Sequence, residues 1–201
     1  ITAHPSSDSV FMRACRREAV DMTPVWLMRQ AGRYMKEYRD VREKVAFKEL
    51  CRRPDLACEV AVTAQKVLGV DAAILFSDIL LILEPMGAGL EYHEGEGPVI
   101  SKGVTTPEDV ERLAVADEEA LAFVYDAVRQ TRAALPPNIP LIGFSGAPFT
   151  LAAYLIDGHG ARDAEKTRIF MHRFPAAWDV LMDKLVRGLA GDVGAAEDDR
   201  A

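Results

Sequence analysis

Short, almost wholly apolar runs alternate along this chain with longer stretches in which apolar residues recur every three or four positions. Residues 25–28, 72–76 and 141–144 are of the first kind, the pattern of strands buried on both faces. Leu56, Val60, Ala64 and Val67 are of the second kind, with Pro54 suited to a first helical position and Gly69 to a stop. Residues 107–113, 118–134, 148–156, 161–171 and 175–190 carry similar helical patterns, and 9–17 a shorter one. The charged stretch 34–44 reads as helical or irregular, and 83–102, rich in Gly, Glu and Pro, as a long connection. Strand-then-helix alternation predicts a parallel α/β architecture, in which chemistry gathers where strands end. No repeat, low-complexity tract or linker divides the chain, so a single domain is expected over 1–201.

Composition agrees with a globular protein able to bury a core: 201 residues, 49% hydrophobic and 27% charged. No apolar run approaches the roughly 18 residues of a membrane helix, and residues 1–10 lack the basic-then-apolar pattern of a secretory signal. Cys15, Cys51 and Cys58 form neither a CxxC pair nor an even disulfide set, which suits thiols in a reducing cytoplasm. Cys51 and Cys58, seven apart, are expected on one helix face. Net charge is −7, but residues 11–53 hold 12 Lys/Arg against 6 Asp/Glu, whereas 91–126 hold 2 against 10. That distribution argues against a general nucleic-acid binder and suits an anionic small molecule, provided the arginines converge on a cleft.

Three strand-end segments carry candidate chemistry. Arg29-Gln30-Ala31-Gly32-Arg33-Tyr34 places two guanidiniums beside a glycine, with Arg39 and Arg42 following. They are either a fork for several carboxylates or a solvated basic surface paired with Glu37 or Asp40. Asp78, after Phe76-Ser77, is either a compensated buried acid or, with Ser77, a cap for the next turn of chain. Gly143-Phe144-Ser145-Gly146-Ala147-Pro148 approaches a nucleophile elbow, but Ala147 replaces its last glycine, and only His159 and His172 follow, close in the chain, with no strand end between to carry an acid. A tight strand-to-helix turn fits better. His4, His93, His159 and His172 show no metal-ligand spacing, and Gly87-Ala88-Gly89 lacks the third glycine of a dinucleotide site.

Taken together, Thr23-Pro24-Val25-Trp26-Leu27-Met28-Arg29-Gln30-Ala31-Gly32-Arg33-Tyr34, Phe76-Ser77-Asp78-Ile79-Leu80 and the segment from Ile142 to Leu151 closely resemble the uroporphyrinogen decarboxylase family. Leu83-Glu84-Pro85-Met86-Gly87 and Gly95-Glu96-Gly97-Pro98 are similar to its bacterial members. The resemblance implies a (β/α)8 TIM-barrel lineage, a cytoplasmic homodimer, and conversion of uroporphyrinogen III to coproporphyrinogen III by four acetate decarboxylations without metal or cofactor. It implies no nucleic-acid or membrane partner. Carried over, Arg29 and Arg33 bind substrate carboxylates, the backbone of Gln30, Ala31 and Gly32 lines the cleft, and Asp78 faces the pyrrole N–H groups. Tyr154 touches the cleft's edge and Arg42 makes a peripheral contact. A guanidinium, with its pKa above about 12, is a poor proton donor, so the acid stays unassigned.

Two departures stand out. Lys36 occupies a position where the family usually has proline, and family chains are longer. A (β/α)8 barrel takes about 250 residues, and about three of its strands can be placed here. The expectation is therefore an incomplete barrel, the N-terminal portion of one decarboxylase domain, with little activity by itself. Two alternatives remain: a corrinoid-linked methyltransferase of the same fold, and a non-catalytic porphyrinogen-binding fragment.

Overall fold

The computed structural model describes residues 5–93, 97–160 and 163–198. In chain order the elements are α1 (Val10–Cys15), α2 (Lys36–Arg42), α3 (Phe47–Arg52), α4 (Pro54–Leu68), β1 (Ala73–Ile74), β2 (Leu90–His93), β3 (Gly97–Ile100), α5 (Pro107–Arg112), α6 (Ala122–Ala134), β4 (Leu141–Ile142), α7 (Pro148–Asp157), α8 (Glu165–Arg173) and α9 (Pro175–Asp198). This is a mixed α/β chain, and its described residues fall into two compact units, 5–77 with 123–144 and 78–122 with 145–198. Among the described residues no helix is long and apolar enough to cross a membrane.

In the first unit β1 and β4 pair in parallel, Ala73 opposite Leu141 and Ile74 opposite Ile142. The flanking bonds run from the Ala73 amide to the Pro140 carbonyl at 2.9 Å and from Leu75 to Ile142 at 3.0 Å. Both strands are shorter than their apolar runs. The strand expected over 25–28 does not form. The Asp71 amide instead donates to the Val25 carbonyl at 2.8 Å while its carboxylate accepts from the Val25 amide at 2.7 Å. An aspartate side chain thus takes a bond that a ladder would have made, and Val25, Leu27 and Met28 stay exposed.

Helix α4 has the predicted ends. Pro54 opens it, and Gly69 closes it at φ 63°, where glycine escapes the Cβ clash of the left-handed region. Val60 and Ala64 on its inner face pack with Met35, Tyr38 and Leu50, and Ala57 packs with Leu75 and Ala127 of α6. Cys51 and Cys58 do not share a helix face, because Arg53 at φ −109°, ψ 100° breaks the chain between α3 and α4. Cys51 is buried and Cys15 exposed.

In the second unit β2 and β3 form an antiparallel hairpin, Leu90 opposite Ile100 and His93 opposite Gly97. It replaces the irregular connection expected over 83–102. The glycines that suggested a loop, Gly87 (φ 92°) and Gly89 (φ 68°), lead the chain into it. Residues 94–96 and 161–162 lie outside the described residues, and the helix expected over 161–171 is observed as Glu165–Arg173. Leu151 and Leu155 of α7 are fully buried. Its last residue, Asp157, accepts a hydrogen bond from the buried Thr167 hydroxyl of α8 at 2.7 Å. Lys184 of α9 donates to the carbonyls of Val110, Glu111 and Leu113, satisfying the open carboxyl end of α5.

The other end of α5 rests on Asp109. Its carboxylate accepts from the Thr105 and Thr106 amides at 2.7 and 2.8 Å and from the Thr105 hydroxyl at 2.8 Å, which holds it well below the usual carboxylate range. Asp109→Ala is expected to lower the unfolding free energy by about 1 kcal/mol, the usual worth of such a cap. The folded pKa is depressed, so this contribution is present above the unfolded pKa and lost as pH falls through the folded one. Thermal melts of wild type and variant across pH should therefore differ near neutrality and converge in strong acid.

Candidate functional site

Residues 29–34 have no helix or strand of their own, yet the first unit ties their main chain down at several points. Gln30 is only 1% exposed. Its side-chain amide donates to the Ala72 carbonyl at 2.7 Å, and its oxygen accepts from the Ile74 amide at 3.3 Å. These groups on either side of Ala73 are the ones a neighbouring parallel strand would use, so the carboxamide stands in for a strand residue. The Tyr34 hydroxyl donates to the Arg29 carbonyl at 3.2 Å and to the Gln30 carbonyl, folding its ring back over Gly32. A Cβ at Gly32 would lie 3.1 Å from that ring, so the glycine lets the ring sit this close. The Met35 amide closes on the Gly32 carbonyl at 2.9 Å, and the Arg39 guanidinium donates to the Arg33 carbonyl at 2.8 Å.

Arg29 and Arg33 are exposed, and among the described residues neither side chain makes a hydrogen bond or ion pair. Both guanidiniums are thus solvated, and among the described residues neither pairs with Glu37 or Asp40. Asp40 pairs with Lys36 at 2.5 Å, one turn along α2. Arg42 is engaged differently: it donates to the Val45 carbonyl, lies 5.8 Å from the centre of the Phe47 ring, and neighbours Tyr38. It joins α2 to the start of α3.

Asp78 opens the second unit. Phe76 before it is anchored in the first, its ring 5.8 Å from Tyr38 and 6.0 Å from Phe47. The half-buried Asp78 carboxylate accepts from the Leu80 amide at 2.8 Å, the local turn that its residue type favours. Burial pushes this carboxyl above the ordinary aspartate range, and the Leu80 amide and the Tyr92 hydroxyl of β2 offset part of the rise. The bond to Leu80 is a local turn, and the helical turn Leu81–Leu83 that follows has no side-chain cap. Tyr92 escaped the sequence reading because its segment carried loop signals; the alternation of Leu90 and Tyr92 with polar neighbours was the available clue.

Ser145 is exposed before α7. Gly146 does not have a positive φ; a Cβ there would stand 2.8 Å from the Leu151 side chain and 3.3 Å from Ile79 Cβ. Close packing, rather than turn geometry, requires this glycine, and it seats the turn against the residue after Asp78. Tyr154 is half-buried in α7, its hydroxyl 2.9 Å from where a Gly160 Cβ would be. Arg29, Gln30, Ala31, Gly32 and Arg33 therefore belong to the first unit, and Asp78 and Tyr154 to the second. Among the described residues no three His, Cys, Asp or Glu side chains cluster as metal ligands would.

The first unit thus presents a braced loop with two guanidiniums unpaired among the described residues, and the second a half-buried carboxyl. Residues 6–193 match the family described as "Uroporphyrinogen decarboxylase (URO-D)", and the chain belongs to that family. It is 54% identical over 176 residues to the uroporphyrinogen decarboxylase of Sorangium cellulosum, which covers 87% of this chain and 50% of that one. The corresponding protein of Carboxydothermus hydrogenoformans is 48% identical over 193 residues, 94% of this chain and 55% of its own. The chain spans about half the length of the curated relatives it matches. Among solved structures, a methyltransferase from Methanosarcina mazei aligns with a TM-score of 0.68 over 96% of this chain and 57% of that one. Its identity is 20%, so that likeness is one of fold alone.

Proposed function

We propose that the chain serves the conversion of uroporphyrinogen III to coproporphyrinogen III, as the N-terminal portion of a (β/α)8 barrel that acts as a homodimer when complete. The observation that carries this reading is the loop 29–34, where the carbonyls of Arg29, Gln30, Gly32 and Arg33 are bonded within the loop and α2 while the Arg29 and Arg33 side chains are left unpaired among the described residues. A tetrapyrrole with eight carboxylates is the matching ligand. Decarboxylation exchanges CO2 for a proton. Protonating the pyrrole ring carbon makes the ring cationic, and the breaking C–C bond returns its electron pair to that ring. A proton then converts the exocyclic methylene to a methyl group, and the ring carbon releases its own. Asp78, facing the N–H groups, stabilises the positive charge while it exists. Arg29 and Arg33 hold the acetate and propionate arms, the Gln30–Gly32 backbone lines the cleft, and Tyr154 touches its rim.

The test is a titration of the chain with uroporphyrin, a redox-stable stand-in for the substrate, followed by assay of coproporphyrinogen and CO2 with uroporphyrinogen III as substrate. Saturable binding that weakens with salt is the expected result, with little CO2 from the chain alone and turnover once the rest of a relative's barrel is supplied in trans. No tetrapyrrole binding at all would remove the proposal.

A further inference from the structure

We infer that Gln30 is a positioning residue, its buried carboxamide occupying the hydrogen-bonding edge of β1 so that Arg29 and Arg33 are presented in one fixed direction. The inference rests on the proposed function for its ligand, though not for its geometry. Among the described residues the chain on the N-terminal side of Gln30 forms no strand, and the Gln30 carboxamide is the group from there that engages the Ala72 carbonyl and the Ile74 amide. A buried donor and acceptor pair left open costs more than its net bond is worth, so the carboxamide is held firmly in place. Directly after it, Tyr34 and Arg39 secure the carbonyls of Arg29, Gln30 and Arg33. Gln30 thus supplies the side-chain link from the loop to a strand, while the other ties lie within the loop and α2. A guanidinium on an unfastened loop would pay the ordering entropy at each binding event.

The experiment compares wild type with Gln30→Met, which keeps the length and apolar volume of the side chain and removes both hydrogen bonds. Trypsin cuts after Arg29 and Arg33, so limited digestion reads the loop directly. Cleavage at these two bonds should be about tenfold faster in the variant, with sites elsewhere unchanged. Uroporphyrin affinity should fall about tenfold in Gln30→Met, and by no more than about twofold when Arg29→Ala and Arg33→Ala are already present, because Gln30 acts through them. Equal cleavage rates, or an affinity loss that adds in full to that of the arginine variants, would overturn the inference. If the wild-type chain binds no porphyrin, the proposed function fails and the cleavage ratio still decides the role of Gln30. If Gln30→Met is cut faster at every site, Gln30→Glu, which keeps the acceptor and loses the donor, replaces it, with the same two outcomes decisive.

Discussion

Asp78→Asn is expected to lower the decarboxylation rate by about 10²–10³-fold while changing tetrapyrrole affinity by no more than about threefold. Asparagine keeps the shape and an oxygen for the Leu80 amide, so the local turn survives. What is lost is the negative charge, which matters most when the ring is cationic and least in the ground state; the effect therefore falls on kcat rather than KM. The ionised carboxylate is the working form, and burial raises its pKa. The acidic limb of the kcat profile should accordingly lie above the ordinary aspartate range, with activity rising as pH increases through it. Tyr92→Phe removes a donor to that carboxylate and should move the limb higher still. Steady-state product analysis against pH measures all three quantities; a Tyr92→Phe limb at lower pH would contradict this role for Asp78.

The second large effect is on binding. Arg29→Ala with Arg33→Ala is expected to weaken uroporphyrin affinity by at least about 10²-fold, since each charge-assisted contact is worth about 1.5–3 kcal/mol and 1.4 kcal/mol is tenfold. Both side chains are exposed and make no ion pair among the described residues, so the melting temperature should move by no more than about 2 °C. The loss should shrink at high salt, as the wild-type attraction is screened. An unchanged dissociation constant in fluorescence titration would exclude these arginines as the carboxylate grip.

Helix ends were the most legible part of the fold. Pro54 and Gly69 bound α4, and Pro148 opens α7, because proline at a first turn and glycine in the left-handed region act through local sterics alone. Strands were less legible. The apolar runs at 72–76 and 141–144 fall in the right places, but strand length depends on a partner's register, which no local pattern contains. At 25–28 the pattern was misleading, because Asp71 supplies through a side chain what the run alone suggested a strand would supply. The hairpin of β2 and β3 was hidden by Gly87 and Gly89, the loop-like glycines that lead the chain into it. For the candidate site, the residue types at 29–34 and 78 pointed to carboxylate chemistry, whereas the brace at Gln30 and the Tyr92 hydroxyl beside Asp78 depend on contacts 44 and 14 residues away in the chain.

The Gln30 brace also bears on how this site could be re-engineered. Its carboxamide reads only main-chain atoms of β1, so it is blind to which side chains stand at Ala72 and Ile74. Residues on both faces of that strand can be exchanged for others of similar volume without altering the loop's attachment. In the loop itself, the side chains at positions 29 and 33 make no hydrogen bond or ion pair among the described residues. The scaffold and the ligand-facing groups are thus separable, and new anion specificities can be built at two positions with the anchoring left intact.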